Sequence, residues 1–300
     1  MNETMAYIMG MICGKGVIQR HQNEIRIIIT IPHKAQFSDA VCDPHMATQA
    51  SIPQIQNVIQ PFLNTIVTTQ NGEHETSLYF TKQSNDPIIT EILSLCNGRF
   101  SWEEMRIPDY FFNQATTEEK KHFLRGIADV TGHARRSNYA YDKKDNLHRV
   151  YIEIPRNWFL TIDICNLLKS INIPVHTVDW GHPNIRDGKL TRYNRGYPNF
   201  WKKEHQIKIY VNEFLPIGFT VIHKNAGLQE LSNKLCNTYR LTHNNQDPST
   251  LTHRFYWEVP DRSKTKPHHP GESDIFIPAI IRGRHFNSYR QICFELGYRE

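Results

Sequence analysis

The stretch IMGMICGKG at residues 8–16 combines apolar side chains with three glycines and ends on a lysine that two of those glycines flank. Glycine inside a helix costs about 1 kcal/mol relative to alanine, so a helix that contains Gly10 needs a compensating contact. A second helix that approaches the backbone at Gly10, where no side chain stands in the way, would supply it. The stretch therefore predicts a helix over residues 3–15 with a closely packed helical partner.

A matching helix is predicted at TTEEKKHFLRGIADVTG, residues 116–132. Thr116 or Thr117 would cap its N-terminus, and the acidic residues that follow suit the first turn of a helix. Apolar residues then recur at helical spacing. Gly126 lies inside this segment, and Gly132 would end the helix as a C′ glycine.

The chain repeats itself around these two helices. Gly126 follows Gly10 by 116 residues, and Gly132 follows Gly16 by the same interval. We therefore predict that the two helices pack side by side with Gly10 and Gly126 at their crossing. The elements after each helix also match in order: strands at 24–32 and 148–155, helices at 53–66 and 157–171, strands at 76–82 and 205–213, and helices at 86–97 and 226–237.

These matches predict an α+β fold of two tandem repeats, at residues 1–98 and 117–240. Residues 99–116 would connect them, and a basic insertion at 176–206 would extend the second repeat. Residues 241–300 lie outside the repeats and would form a C-terminal extension with a strand and a short final helix.

IMGMICGKG and LRGIADVTG resemble, without gaps over nine positions, the LAGLIDADG motif of the homing endonucleases. The order of elements also resembles the αββαββα unit of that family, in its single-chain form with pseudo-twofold symmetry. The resemblance implies a saddle of two antiparallel sheets whose concave face lies in the DNA major groove. It also implies that each motif helix ends in an acid that holds a divalent metal at a scissile phosphate.

The sequence departs from the family at those acids. The eighth motif residue is Lys15 in the first repeat and Thr131 in the second, and neither supplies the anionic oxygen that Mg²⁺ prefers. The nearest acid is Asp129, at the sixth position, where the first repeat has Cys13. Three explanations are open: metal ligands elsewhere, metal-free chemistry in which Lys15 stabilises charge, and a binding protein that has lost cleavage.

Basic and amide side chains next to the motif helices predict a surface that reads DNA. Arginine pairs with guanine edges and asparagine with adenine edges, and a two-stranded ribbon fits the major groove. The predicted contacts lie after the first helix, after the second helix and in the insertion: Gln19, Arg20, Gln22, Asn23 and Arg26; Arg135, Arg136, Asn138, Tyr139, Tyr141, Lys143, Lys144 and Arg149; Arg192, Arg195, Lys202 and Lys203.

Together these features predict a sequence-specific double-stranded DNA endonuclease, of homing or restriction type, with an atypical site. Its predicted catalytic residues are Lys15, Asp129, Thr131 and, from the layout that the resemblance implies, Lys82. Mg²⁺ would be the cofactor of a nuclease. The alternative is a non-catalytic DNA- or RNA-binding protein, a regulator or maturase, with DNA favoured over RNA.

Composition agrees with a nucleic-acid partner but does not require one, since the net charge is +5 and the pI is about 8.8. None of the six cysteines forms a Cys-x-x-Cys pair, and the sequence shows neither a secretory peptide nor a membrane-length apolar run. We therefore expect a reduced cytoplasmic protein without a membrane partner, monomeric with internal pseudo-symmetry.

Overall fold

A computed structural model describes residues 1–33, 43–135, 148–155, 157–175, 177–182, 204–243, 280–281 and 284–285. The strand predicted at 254–260 and the final helix predicted from about residue 287 lie outside these ranges.

The first repeat contains seven elements in the order αββαββα. They are α1 (Glu3–Lys15), β1 (Gly16–His21), β2 (Glu24–Pro32), α2 (Pro44–Leu63), β3 (Thr68–Asn71), β4 (Glu75–Gln83) and α3 (Pro87–Cys96). The four strands form one antiparallel sheet in the order β1-β2-β4-β3.

The second repeat follows a short connector helix, α4 (Asp109–Asn113), and has the same plan. Its elements are α5 (Thr117–Thr131), β5 (Gly132–Arg135), β6 (Arg149–Pro155), α6 (Trp158–Ser170), β7 (Thr177–His182), β8 (Glu204–Tyr210), α7 (Val211–Phe214) and α8 (Ile222–His243). Its sheet order, β5-β6-β8-β7, repeats that of the first sheet. The predicted α+β fold of two antiparallel sheets is confirmed. Two antiparallel strands of two residues each, β9 (Ile280–Ile281) and β10 (Arg284–His285), are also described in the C-terminal part.

Some element boundaries differ from the sequence prediction. The residues alone did not indicate β3 and β7, because β3 is a short, polar and exposed strand and β7 lies within the segment that we predicted as an insertion. Helix α2 begins at Pro44 rather than at residue 53, since Asp43 caps it and Pro44 suits the first turn. The strand predicted at 205–213 ends at Tyr210, where α7 begins.

Helices α1 and α5 cross at their glycines. A Cβ atom built on Gly10 would lie 2.0 Å from the carbonyl oxygen of Phe123, and one on Gly126 would lie 2.2 Å from that of Tyr7. Both distances are far below any contact that carbon and oxygen tolerate. The two backbones therefore touch at this crossing, and only glycine fits at either position.

The glycines that end these helices act differently from the C′ glycines that the sequence suggested. Gly16 and Gly132 have φ of −94° and −101°, which is extended rather than left-handed backbone. Their constraint is steric, because a Cβ on Gly16 would lie 2.5 Å from the Cα of Ile12, and one on Gly132 would lie 2.8 Å from the carbonyl oxygen of Ala128. Each helix thus turns directly into a strand, with the glycine at the junction packed against the backbone of the last helical turn.

The core lies between the helices and one face of each sheet. Strand β2 places Ile25, Ile27, Ile29 and Ile31 into it at every second position, as the alternation in EIRIIITIP predicts. Among the described residues, no helix is both long enough and apolar enough to span a membrane.

Candidate nucleic-acid interface

The face of the first sheet that points away from the helices is polar and accessible. Residues opposite each other in an antiparallel pair share a face, so the strand register identifies its members. All of them are partly or fully exposed. They are Val17, Gln19 and His21 on β1; Glu24, Arg26, Ile28, Thr30 and Pro32 on β2; Glu75, Ser77, Tyr79, Thr81 and Gln83 on β4; and Thr68 and Gln70 on β3. We call this set the open face.

Gln19 and Arg26 lie opposite each other on the open face, toward the turn that joins β1 and β2. The guanidinium carbon of Arg26 lies 4.4 Å from the ring centroid of Tyr79, so the aromatic ring orients this cation while its donors stay accessible. Both residues belong to the predicted reading surface. The sequence reasoning missed the β4 members, Tyr79 among them, although the alternation in TSLYFTK could have identified them.

Arg20 lies on the other face of β1, because it pairs with the core residue Ile25. Its side chain packs over the ring of Phe100 at 4.5 Å and is exposed at the end of the strand. Strand alternation thus places Arg20 on the opposite face from Gln19 and Arg26, and its contact with nucleic acid stays a prediction. Gln22 and Asn23 form the exposed two-residue turn between β1 and β2, with Gln22 at a left-handed φ of 49°.

Most of the described side chains on the corresponding face of the second sheet are buried. Arg149 on β6 retains 8% exposure and Tyr151 retains 3%, and His133, Glu153, Gln206 and Tyr210 are buried as well. Among the described side chains of this face, Arg135, Pro155 and Lys208 keep partial exposure. The prediction that Arg149 contacts DNA is not supported, because its side chain is enclosed.

The buried side chains of this second face contact one another. The rings of His133 and Tyr151 stack with centroids 5.7 Å apart, and the Arg135 guanidinium lies 3.8 Å from the Tyr151 ring centroid. Gln206 Nε2 donates a hydrogen bond to Glu153 Oε1 at 2.8 Å. Gln206 and Glu153 are thus joined to each other, and the Arg135 guanidinium packs against Tyr151.

The end of the first motif helix carries a cation that is already engaged. Lys15 Nζ lies 4.4 Å from the ring centroid of Trp102 in the connector. The connector runs along β1, where the N–H of Ile18 donates to Phe100 and the N–H of Trp102 donates to Gly16, both at 2.8 Å. The Lys15 amine therefore lies against the connector at the end of α1.

Asp129 is buried with an exposure of 0%, and several donors use its carboxylate. Tyr7 donates its hydroxyl proton to Oδ2 at 2.7 Å, and the N–H groups of Thr220 and Val221 donate to the carboxylate at 3.0–3.1 Å. Burial raises the pKa of Asp129, while Lys224 and these hydrogen bonds act in the opposite direction. Asp129 thus holds the start of α8, and its oxygens do not face solvent.

The remaining predicted catalytic residues also have internal partners. Thr131 is buried and donates its hydroxyl proton to the carbonyl oxygen of Ile127 at 2.7 Å. Lys82 shares the helix-facing side of β4 with Phe80, donates to the carbonyl oxygen of Leu63 at 2.7 Å and forms an ion pair with Asp86 at 2.6 Å. The expectation that Lys82 faces a central site is corrected, because strand alternation directs it toward α2 and α3.

These positions do not fit a Mg²⁺ ion. Lys15 is cationic, and the Thr131 hydroxyl donates a hydrogen bond within α5. The Asp129 carboxylate accepts hydrogen bonds from main-chain N–H groups of the protein. Within the described ranges, no group of three or more His, Cys, Asp or Glu side chains could hold a metal ion.

The other predicted contacts lie outside the described residues: Arg136, Asn138, Tyr139, Tyr141, Lys143, Lys144, Arg192, Arg195, Lys202 and Lys203.

An ion pair that the sequence reasoning did not identify joins the connector to the second repeat. Arg106 binds Asp163 of α6 through two hydrogen bonds, from Nε at 2.6 Å and from Nη2 at 2.7 Å. The N–H of Ile107 donates to the same carboxylate at 3.2 Å. The connector therefore contacts both repeats and fixes Trp102 near the end of α1. Sequence spacing contains no signal for this long-range pair.

The fold and the open face together define a two-repeat α+β protein with an accessible, polar β-sheet surface. Comparison with solved structures finds the homing endonuclease I-DmoI in complex with DNA and Ca, at 14% identity over 71% of this chain and 86% of that chain, with a TM-score of 0.38. It also finds full-length DUF199/WhiA from Thermatoga maritima, at 13% identity over 84% of this chain and 70% of that chain, with a TM-score of 0.41. The N-terminal LAGLIDADG domain of DUF199/WhiA matches at 14% identity over 72% of this chain and 80% of that domain, with a TM-score of 0.38.

None of the family models or curated proteins compared with this chain matches it. Structural similarities at this level of identity do not define the chemistry of this chain, which depends on its own residues.

Proposed function

We propose that this protein binds double-stranded DNA and reads base edges with the open face of its first sheet. The observation that carries the proposal is the set of donors on that face, where Gln19, Gln70 and Arg26 lie with hydroxyl side chains on an accessible, regular surface. Its two carboxylates, Glu24 and Glu75, lie at the first positions of β2 and β4. Amide and guanidinium groups recognise base edges in the major groove, and hydroxyls bind both bases and phosphates.

The dimensions of the open face suit a groove. Strands β2 and β4 have nine residues each, which corresponds to a length of about 30 Å. This length spans about nine base pairs of B-DNA. The orientation of Arg26 by Tyr79 reduces the freedom that the side chain loses on binding, which favours selective contact.

We favour binding over cleavage because of the positions of Lys15, Asp129 and Thr131. Metal-dependent hydrolysis needs carboxylates that face the phosphate, whereas Asp129 is buried and the other two residues are not acids. Endonuclease activity stays a prediction, and it would require a different set of ligands from the one that the motif positions supply.

A binding and cleavage assay on the full chain tests the proposal. Labelled double-stranded DNA of mixed sequence is titrated with protein at several salt concentrations, with single-stranded DNA and duplex RNA as competitors. The proposal predicts retarded, intact DNA whose affinity falls steeply with salt. Stronger competition by duplex RNA would replace DNA with RNA as the partner, and absence of retardation at low salt would refute the proposal.

The same samples distinguish binding from cleavage. Supercoiled plasmid is incubated with protein in Mg²⁺ or in EDTA and examined for nicks. Intact plasmid under both conditions supports a binding protein. Discrete, Mg²⁺-dependent ends would establish the endonuclease, and Lys15→Ala with Asp129→Asn would then show whether the motif positions take part.

A further inference from the structure

We infer that sequence recognition by this protein is asymmetric: the first sheet reads bases, and the second sheet does not. The inference rests on the proposed function and specifies which part of the protein carries its specificity. A protein with two equivalent sheets would read two half-sites, whereas this one would read a single block of about nine base pairs.

The two repeats offer a matched pair of arginines that shows the difference. Arg26 and Arg149 both lie six residues before the proline that ends their strands, Pro32 and Pro155. Each also lies on the face that points away from the helices. Arg26 is accessible on the open face, whereas Arg149 is buried at 8% exposure.

The residues opposite these arginines differ in type. In the register with β1, Gln19 lies opposite Arg26, and in the register with β5, Arg135 lies opposite Arg149. Gln19 and Arg135 are both partly exposed, so the difference between the two faces lies in Arg149 and in Tyr151, which are buried.

A buried polar pair also distinguishes the second face from the open face. Glu153 occupies the position on β6 that Thr30 occupies on β2, counted from the terminal prolines. Its carboxylate accepts a hydrogen bond from Gln206 and lies 3.9 Å from His133. Freeing Gln206 for base contact would break this buried hydrogen bond.

In vitro selection from a random double-stranded library, with the full chain, tests the inference. The expected result is one contiguous block of about nine determined base pairs, without a second related block. Two blocks of comparable information would overturn the asymmetry while leaving the proposed function intact. Recovery of no preferred sequence would overturn both.

Matched variants assign the block to a sheet. Arg26→Ala should raise the Kd for the selected sequence about tenfold or more and should relax the preference at one or two positions. Arg149→Gln and Lys208→Ala should change Kd less than about threefold and leave the preference unchanged. Far-UV circular dichroism checks that each variant is folded, and Lys208→Ala serves because its partly exposed position tolerates truncation. A loss of preference in Lys208→Ala, with none in Arg26→Ala, would refute the assignment.

Discussion

The crossing of α1 and α5 gives the sharpest prediction about stability, because alanine at Gly10 would meet backbone rather than side chain. Its Cβ would begin 2.0 Å from the carbonyl oxygen of Phe123, and relief to an ordinary contact of about 3.4 Å requires the helices to separate by about 1.4 Å. Overpacking of a well-packed core costs about 1–3 kcal/mol and sometimes more, and a backbone clash belongs at the upper end. Alanine returns about 1 kcal/mol of helix propensity, so the expected net loss is about 2 kcal/mol or more.

Urea unfolding followed by far-UV circular dichroism measures this loss. Gly126→Ala should behave like Gly10→Ala, since its Cβ would begin 2.2 Å from the carbonyl oxygen of Tyr7. Gly72→Ala is the matched control, because the nearest atom to its Cβ lies 3.1 Å away in an exposed hairpin turn. If Gly10→Ala and Gly126→Ala unfold within about 0.5 kcal/mol of Gly72→Ala, the backbone contact described for the crossing is incorrect.

Three further predictions concern the internal partners of buried and partly buried groups. Asp129→Ala should lower the free energy of unfolding by about 3 kcal/mol or more, because it leaves Tyr7 and two main-chain N–H groups without an acceptor. Asp129→Asn should cost less. If urea unfolds both variants and the unmodified protein at the same stability, Asp129 does not stabilise the start of α8. Lys82→Met should lower the free energy of unfolding by about 1–3 kcal/mol, because it removes the contacts to Leu63 and Asp86, and should leave DNA affinity unchanged. A large loss of DNA affinity in the folded variant would show that Lys82 contacts DNA. Burial lowers the pKa of His205 from 6.5 to about 3, so below pH 6.5 the unfolded chain binds a proton that the folded chain does not, and stability falls as the pH drops toward 3. Protonation of His205 in the unfolded chain should lower the free energy of unfolding by about 2 kcal/mol between pH 6.5 and pH 5. His205→Gln should reduce the pH dependence of the free energy of unfolding by this amount. An unchanged pH dependence in His205→Gln would show that His205 does not titrate in this way.

Local pattern was enough to predict the repeated architecture. Gly10 in one helix and Gly126 in the other indicate a close contact between the two helices, because few other situations favour glycine inside a helix. Alternation of isoleucine along β2 likewise predicts one buried face. Polar strand β3 carries no such alternation, which explains why it was missed.

The candidate site was only partly predictable. Gln19 and Arg26 lie on the open face as the strand pattern suggests, whereas Lys82 could have been excluded by counting alternate positions along β4. Asp129 could not have been excluded in this way, since its burial depends on Thr220 and Val221, about 90 residues later in the chain.

The sequence by itself determined the two repeats, the helix pair and the alternation of each strand, because all three depend on residue type and local spacing. Only the tertiary structure decided which polar face is accessible. Arg26 and Arg149 occupy equivalent places in similar strands, and yet one is partly exposed and the other is buried. The physical reason is that the accessibility of a side chain depends on which distant parts of the chain pack over it, and strand alternation contains no information about that packing.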